Sequence, residues 1–280
     1  MKNKEMPLIS IVIPTFNSMS ENKNIERLLL SIFSQTYQDF EVIIVDNFSN
    51  DITKEINKRF PVDFVQTNCT ISKANNIGLE RAKGKYIMFL DSDMELQPSF
   101  LEECARLIDS SSFDCILMQF SCAASKKASF LNCVELRNLE LDIGAALLNI
   151  YCYSAQVIGN TKFPESSKPI VGEEYIFRNL ILNKKPTIGL VETKILHYYD
   201  PSVRWLIRRA WKYGRWFVET RRHLTIRQTL RFINYNSIVQ RGLLKTSIRV
   251  IKSKPRLVLH FMLYICIKYM AFMLGYLAGL

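Results

Sequence analysis

The sequence predicts an α/β fold: a mostly parallel sheet flanked by helices through residues 1–200, then a C-terminal helical region. Three observations carry this. Short β-branched runs alternate with helical periodicity over the first two hundred residues, a polar cluster follows each run, and the charge changes character near residue 200. The chain holds 37 Lys and Arg against 26 Asp and Glu, but they are unevenly spread. Residues 1–200 carry 21 bases and 25 acids, residues 201–256 carry 15 bases and Glu219 alone, and residues 257–280 carry only Lys268. A content of 48% apolar and 22% charged residues is that of a globular chain and excludes disorder, collagen and a miniature disulfide scaffold.

Leu8–Ile13, Glu41–Val45 and Lys85–Leu90 are apolar runs ending in polar residues, as buried parallel strands do. Between them Ile25–Gln35 sets Ile25, Leu28, Leu29, Ile32 and Phe33 on one helical face, and Ser72–Ala82 reads as a second helix capped by Ser72. This βαβ series places ligand-binding loops at the carboxyl ends of the strands. At those ends stand Pro14-Thr15-Phe16-Asn17, Asp46-Asn47-Phe48-Ser49-Asn50-Asp51 and Asp91-Ser92-Asp93. Alternate residues of an extended segment point the same way, so Asp91 and Asp93 can address one cation. Their hard oxygens suit Mg²⁺ or Mn²⁺, which bind through one or two carboxylates together with phosphate oxygens.

Seven cysteines without a C-x-x-C or a zinc spacing read as reduced, mostly buried thiols. The apolar run Leu8–Ile13, ended by Pro14, is too short for a signal peptide, so the body is expected in the cytoplasm and the Asn-x-Ser/Thr matches at Asn47 and Asn68 are chance.

Taken in order, Pro14-Thr15-Phe16-Asn17, Val45-Asp46 with Ser49 and Asp51, Lys73-Ala74-Asn75-Asn76-Ile77-Gly78, Ala82-Lys83-Gly84-Lys85-Tyr86-Ile87 and Leu90-Asp91-Ser92-Asp93 resemble glycosyltransferase family 2 over roughly residues 7–200. The likeness is to its membrane-associated bacterial or archaeal members. The resemblance implies a GT-A fold, Rossmann-like, with a nucleotide-diphosphate sugar as donor (a UDP-sugar favoured) and an inverting transfer with Mn²⁺ or Mg²⁺. It implies donor contacts at Pro14, Thr15, Asn17, Asp46, Lys73, Asn76, Asp91 and Ser92, with Thr15 and Asp46 at base and ribose. It implies metal ligands at Asp93 and Asp91, with His197, which closes the apolar run Thr193–Leu196, as a further one. The chain departs from the family in carrying Asn47 after Asp46 where members often show a second acid, and Lys73 where a histidine or arginine is frequent.

Gly172-Glu173-Glu174-Tyr175 with Arg178 is similar to the family's acidic pair at a helix start. An inverting displacement needs one carboxylate to take the acceptor's proton. Glu174 holds the position of the family's base and Glu173 is the second candidate. The expected organisation is a catalytic domain over 1–200, with nucleotide-sugar binding at about 7–120 and the acceptor side at about 121–200.

From Pro201, Leu206, Ala210, Tyr213 and Phe217 form one helical stripe and Arg204, Arg208, Lys212 and Arg215 another; all three tryptophans, Trp205, Trp211 and Trp216, lie within it. The 201–256 segment therefore reads as basic amphipathic helices, with Thr225–Lys252 as the second, suited to anionic lipids. The apolar helix 257–280, at ~1.5 Å per residue, is long enough for a ~30 Å hydrocarbon core, but Lys268 near its middle costs ~3 kcal/mol there. It either crosses or lies on the membrane, and either way the basic flank sets the body on the cytoplasmic side. The C-terminal helices could also join copies of the chain.

Such a chain is expected to glycosylate a hydroxyl of a saccharide or lipid-linked saccharide. Its rivals are transfer to a bare polyprenyl phosphate, a nucleotidyltransferase, and a non-catalytic membrane-bound interaction protein. Nucleic acid is disfavoured, because it offers nothing to bury the apolar tail.

Overall fold

A computed structural model describes residues 6–20, 23–124, 132–133, 135–137, 149–168, 170–226, 229 and 255–280. Most of Thr225–Lys252, expected as a second basic helix, and much of the stretch 125–148 within the acceptor side lie outside the described residues.

In chain order the elements are β1 (Ile9–Thr15), α1 (Ile25–Phe33), β2 (Phe40–Asp46), α2 (Thr53–Asn57), β3 (Asp63–Gln66), α3 (Ile71–Arg81), β4 (Tyr86–Phe89), β5 (Met94–Glu95) and α4 (Phe100–Ser111). There follow β6 (Cys115–Ala123), β7 (Asn149–Ser154), α5 (Ala155–Ile158), α6 (Glu173–Leu182), β8 (Ile188–Tyr198), α7 (Val203–Thr220) and α8 (Val258–Gly279). The strands form one sheet in the order β3-β2-β1-β4-β7-β6-β8-β5. β1 runs parallel to β2 and β4, and β2 to β3, whereas β7 lies antiparallel to β4 and β6, and β5 to β8. The sheet is thus parallel where the βαβ pattern predicts and mixed beyond it.

Two compact units divide the chain. The first comprises Met1–Phe120, Leu148–Glu165 and Phe177–His197; the second comprises Ser121–Leu147, Ser166–Ile176 and Tyr198–Leu280. In the first, strand alternation splits the core into two layers. Ile9, Ile11, Ile13, Val42, Ile44 and Met88 pack with Leu28, Leu29 and Ile32 of α1 and Phe100 and Cys104 of α4. Val12, Ile43, Val45, Ile87 and Phe89 face the other way, onto Ala74 of α3 and Phe177 and Ile181 of α6. Gly78 lets α3 approach Val12 of β1 where a β-carbon would have no room. The cap of α3 is Thr70, which accepts from the Lys73 amide, and not Ser72, which is buried inside the helix.

In the second unit α7 buries Leu206, Ala210 and Phe217 of the expected stripe, with Gly214 and Thr220 buried beside them and Tyr213 only partly so, and leaves Arg204, Arg208, Lys212 and Arg215 exposed. α8 packs along it. Gly214 and Gly275 each meet the opposing helix backbone directly, with Gly275 beside Trp211 and Gly279 beside Arg215, so the two helices run in the same direction. α8 is 22 residues long and, at a mean hydropathy of 1.7, apolar enough by length and composition to cross a membrane.

Candidate active site

The carboxyl ends of β1, β2 and β4 share one rim of the first unit, with Thr15 opposite Asp46 in register. Asp46 is fully buried at the end of β2, and its carboxylate accepts from Thr15 Oγ1 at 2.8 Å, Ser49 Oγ at 2.5 Å, the Ser49 amide at 2.9 Å and Gln66 Nε2 at 2.9 Å. Ser49 Oγ in turn accepts from the Asn17 amide, and Asn17 Oδ1 accepts from the Asn50 amide. Asp51 takes the Met19 amide together with the amide and hydroxyl of Thr53. A buried carboxylate with several donors is how such a charge is kept without leaving orphaned polar groups. The first two loops are therefore laced into one body, with Asn17 and Phe48 held at positive φ and Phe16 and Phe48 exposed at its edge.

The third cluster is a turn, not the extended segment assumed from its alternation: the Met94 amide donates to Asp91 O at 3.1 Å. Ser92 points inward, its hydroxyl bonded to Ser18 Oγ at 3.0 Å and its carbonyl to the Asn24 amide. Asp91 and Asp93 stay partly exposed on either side. Strand β8 lies antiparallel to β5 with His197 opposite Met94, which brings His197 Nε2 to 3.0 Å from Asp93 Oδ1. One ligand atom from each of Asp91, Asp93 and His197 falls within 4.8 Å of the others. Two carboxylates and an imidazole fit a small divalent cation that takes its remaining ligands from water or phosphate.

Four residues expected at the donor are also held by contacts within the protein. Thr15 and Asp46 bind each other, Ser92 braces Ser18, and Asn76 Nδ2 donates to Phe163 O at 3.1 Å and Glu165 Oε1 at 2.7 Å while its Oδ1 accepts from the Phe163 amide. Their residual exposures are 5%, 0%, 5% and 3%. Pro14 and Asn17 remain partly exposed on the rim and Lys73 fully so, on the first turn of α3. The Cys69 amide donates to Asn47 Oδ1, so the departure at position 47 has its own structural role.

Within the second unit, Gly172 at φ +74° turns the chain into α6, whose first turn carries Glu173 and Glu174. Glu173 is buried at 8% exposure and Glu174 is exposed. The turn is fastened to the end of α7, for the Val171 amide donates to Thr220 Oγ1 and Thr220 Oγ1 donates to Val171 O, both at 2.9 Å. The Tyr213 hydroxyl titrates above its ordinary range: the Arg209 charge pulls it down, but burial and the Glu174 carboxylate, helped by Glu173, outweigh that pull. Arg209 and its aromatic surround escaped the sequence reading; the signal was its i,i+4 spacing to Tyr213.

Residues 10–130 match the family model described as glycosyl transferase family 2. Over that segment the chain is similar to glycosyltransferase family 2. It is 35% identical over 104 residues to a putative teichuronic acid biosynthesis glycosyltransferase, TuaG, of Bacillus subtilis, a match covering 35% of this chain and 40% of that one. The matched part spans about two fifths of the length of the curated relatives. In fold the chain is similar to the mannosyltransferase PcManGT of Pyrobaculum calidifontis, solved with GDP-Man and Mn²⁺, at a TM-score of 0.60 and 14% identity, covering 99% of this chain and 88% of that one. It is also similar to TarS 1–349 of S. aureus, solved with UDP, at a TM-score of 0.54 and 19% identity over 97% and 92% of the two chains. The fold is therefore GT-A.

Proposed function

We propose that this chain is an inverting, metal-dependent glycosyltransferase that moves a sugar from a nucleoside diphosphate to a hydroxyl of a saccharide or lipid-linked saccharide at the cytoplasmic face of the membrane. The observation that carries the reading is the convergence of Asp91, Asp93 and His197 beside two mutually braced loops on the carboxyl rim of a parallel sheet. These three residues would hold Mn²⁺ or Mg²⁺, which when bound neutralises a diphosphate and helps it leave. Asn17, partly exposed, and Lys73, exposed, are polar groups open to the nucleotide and its phosphates. The complexes of fold neighbours, TarS 1–349 with UDP and with UDP-GlcNAc and PcManGT with GDP-Man, support a nucleotide-sugar donor, a UDP-sugar being favoured here.

Glu174 is the general base. Its carboxylate is exposed, whereas that of Glu173 is buried, so only Glu174 has a face open to a substrate. It removes the proton from the acceptor hydroxyl as that oxygen bonds to the sugar's anomeric carbon. The bond from that carbon to the diphosphate breaks in the same displacement, its electron pair leaving with the nucleotide, and the configuration inverts.

The α7–α8 pair is the membrane contact and lies along the leaflet. A crossing α8 would draw the packed α7 with it, and each of Arg204, Arg208, Lys212 and Arg215 would cost about 3 kcal/mol in hydrocarbon. Flat on the surface, the same residues meet anionic lipid while Leu259, Leu263, Met270, Leu274 and Leu277, all exposed on α8, enter the acyl region.

Release of nucleoside diphosphate from a panel of UDP- and GDP-sugars, with Mn²⁺ and with EDTA, tests the reading. Metal-dependent release from at least one donor is expected; release from none overturns it.

A further inference from the structure

Within the second unit, helix α7 runs from Arg209 through Tyr213 and Phe217 to Thr220 on one face, by the spacing of those residues. Thr220 is fastened to Val171 in both directions, and Tyr213 and Phe217 pack with Val171 and Tyr175, the residues that bracket Gly172-Glu173-Glu174 in sequence. One turn before Tyr213, the half-buried Arg209 donates from Nη2 to the Tyr213 hydroxyl oxygen at 3.1 Å. Its guanidinium sits 4.9 Å from the ring centres of Tyr199 and Trp205 and 5.0 Å from that of Tyr213, so a planar cation is held in place by three aromatic faces. The Tyr213 hydroxyl thus feels a cation at bonding distance and, from the first turn of α6, the carboxylates of Glu174 and, less strongly, Glu173. Neighbouring carboxylates oppose each other's ionisation, and a nearby positive charge restores it. The N-terminus of α6 offers such a pair about half a charge, and Arg209 adds a whole one.

We propose that Arg209, held by Tyr213, is a positioning residue for the base: its charge keeps Glu174 ionised beside Glu173 while the acceptor hydroxyl is attacked. Arg209 acts through Glu174, so the proposal rests on the reading of Glu174 as the general base. An exposed glutamate needs no such help in water, but an acceptor that covers Glu174 also strips its water, and loss of water favours the protonated form. A cation already seated among aromatic rings is weakly screened and stays in place when the acceptor arrives. The other titratable groups about this corner are Tyr175, Arg178 one turn along α6 from Glu174, Tyr199 against Arg209, and Tyr276 of α8, which is bonded by Arg221. The variants below leave all of them unchanged.

The test is the pH profile of kcat/KM for the full chain in saturating Mn²⁺, from about pH 5 to 9, with a donor that the native chain turns over. The native profile is expected to show an acid limb that the residual rate of Glu174→Gln lacks. Arg209→Gln moves this limb up by about one pH unit, a tenfold easier protonation of the base. Tyr213→Phe, which keeps the ring and loses the bond to Arg209, moves it the same way by less, and Arg209→Lys, which keeps the charge, restores it toward the native position. A merely structural role would lower the rate by one factor at every pH. A second measurement needs no substrate and no change at Arg209: NMR of the chain labelled with ¹³C at the tyrosine Cζ, with Tyr213 assigned by its loss in Tyr213→Phe. Its hydroxyl is expected to titrate lower in Glu174→Gln than in the native chain, because the carboxylate that opposes its ionisation is gone. An acid limb unmoved in Arg209→Gln and Tyr213→Phe, a uniform loss of rate, or a Tyr213 titration indifferent to Glu174→Gln overturns the proposal. A native profile without an acid limb, or full rate in Glu174→Gln, removes the base reading and the proposal with it. That failure is told from the others because the Tyr213 titration still responds to Glu174→Gln.

Discussion

His197 Nε2 stands 3.0 Å from Oδ1 of Asp93, although 103 residues of sequence separate them, because β8 returns antiparallel to β5 and sets His197 opposite Met94. The imidazole is thereby delivered to the acidic turn by the sheet itself. His197→Ala and Asp93→Asn are expected to fold, since both side chains are partly exposed, and to lower metal-dependent turnover by about 100-fold or more. Steady-state rates across a Mn²⁺ titration check this, with the His197 variant requiring more metal for half-maximal rate.

The exposure of Glu174 beside the burial of Glu173 separates the two carboxylates by role. Glu174→Gln should lower turnover by roughly 10²- to 10⁴-fold with the donor KM little changed, as expected of a base that acts only in the displacement. Glu173→Gln should act through stability, lowering the melting temperature. If Glu174→Gln kept its rate, the acceptor would be a group already ionised, such as a phosphate.

Acid should loosen the first unit at its braced carboxylates. Asp63 is held below its ordinary range by its two bonds to Arg81, and Asp51 and Glu103 lie low because their hydrogen bonds to Thr53 and Met19, and to Thr193 and Glu192, outweigh burial. A carboxylate depressed in the folded state stabilises above its unfolded value, near pH 4, and that stability is lost as pH falls through the folded value. The melting temperature should thus be flat from pH 7 to about 5 and fall below 4, with a shallower fall in Asp63→Asn.

None of the seven cysteines forms a disulfide, and Cys266 alone is exposed. Burial pushes the Cys115 thiol up to about 12 and Cys133 to about 11, each helped by a nearby aspartate, so neither supplies thiolate at neutral pH. Iodoacetamide at pH 7.5 should label the native chain at Cys266 only, and the denatured chain at all seven positions by mass spectrometry.

What the sequence made legible follows from which forces are local. The strand runs Leu8–Ile13, Glu41–Val45 and Lys85–Leu90 and the stripe on α7 are periodicities; the runs fall on β1, β2 and β4 with ends moved by one or two residues, and the stripe holds at Leu206, Ala210 and Phe217. The partly exposed β3 and the two-residue β5 carry too little pattern to be read, and β5 matters because it aligns His197. Side-chain direction was the harder part. Asp46 and Ser92 read as ligands in a string of polar residues, and their bonds to Ser49 and Ser18 had no signal there, although a loop must satisfy its own polar groups as well. Asn76 is spent on Phe163 and Glu165, 87 and 89 residues away, and no local signal announces that. The ring of aromatics around Arg209 was legible only as the i,i+4 pair with Tyr213, since Tyr199 precedes the helix.

The most direct measurement is calorimetric titration of the chain with the donor that it turns over, in Mn²⁺ and in EDTA, for the native sequence and for Asp93→Asn. Donor binding that needs Mn²⁺ and is lost in Asp93→Asn is the expected result. Equal donor affinity in all four conditions would contradict the assignment of Asp91, Asp93 and His197 to a cation that grips the diphosphate.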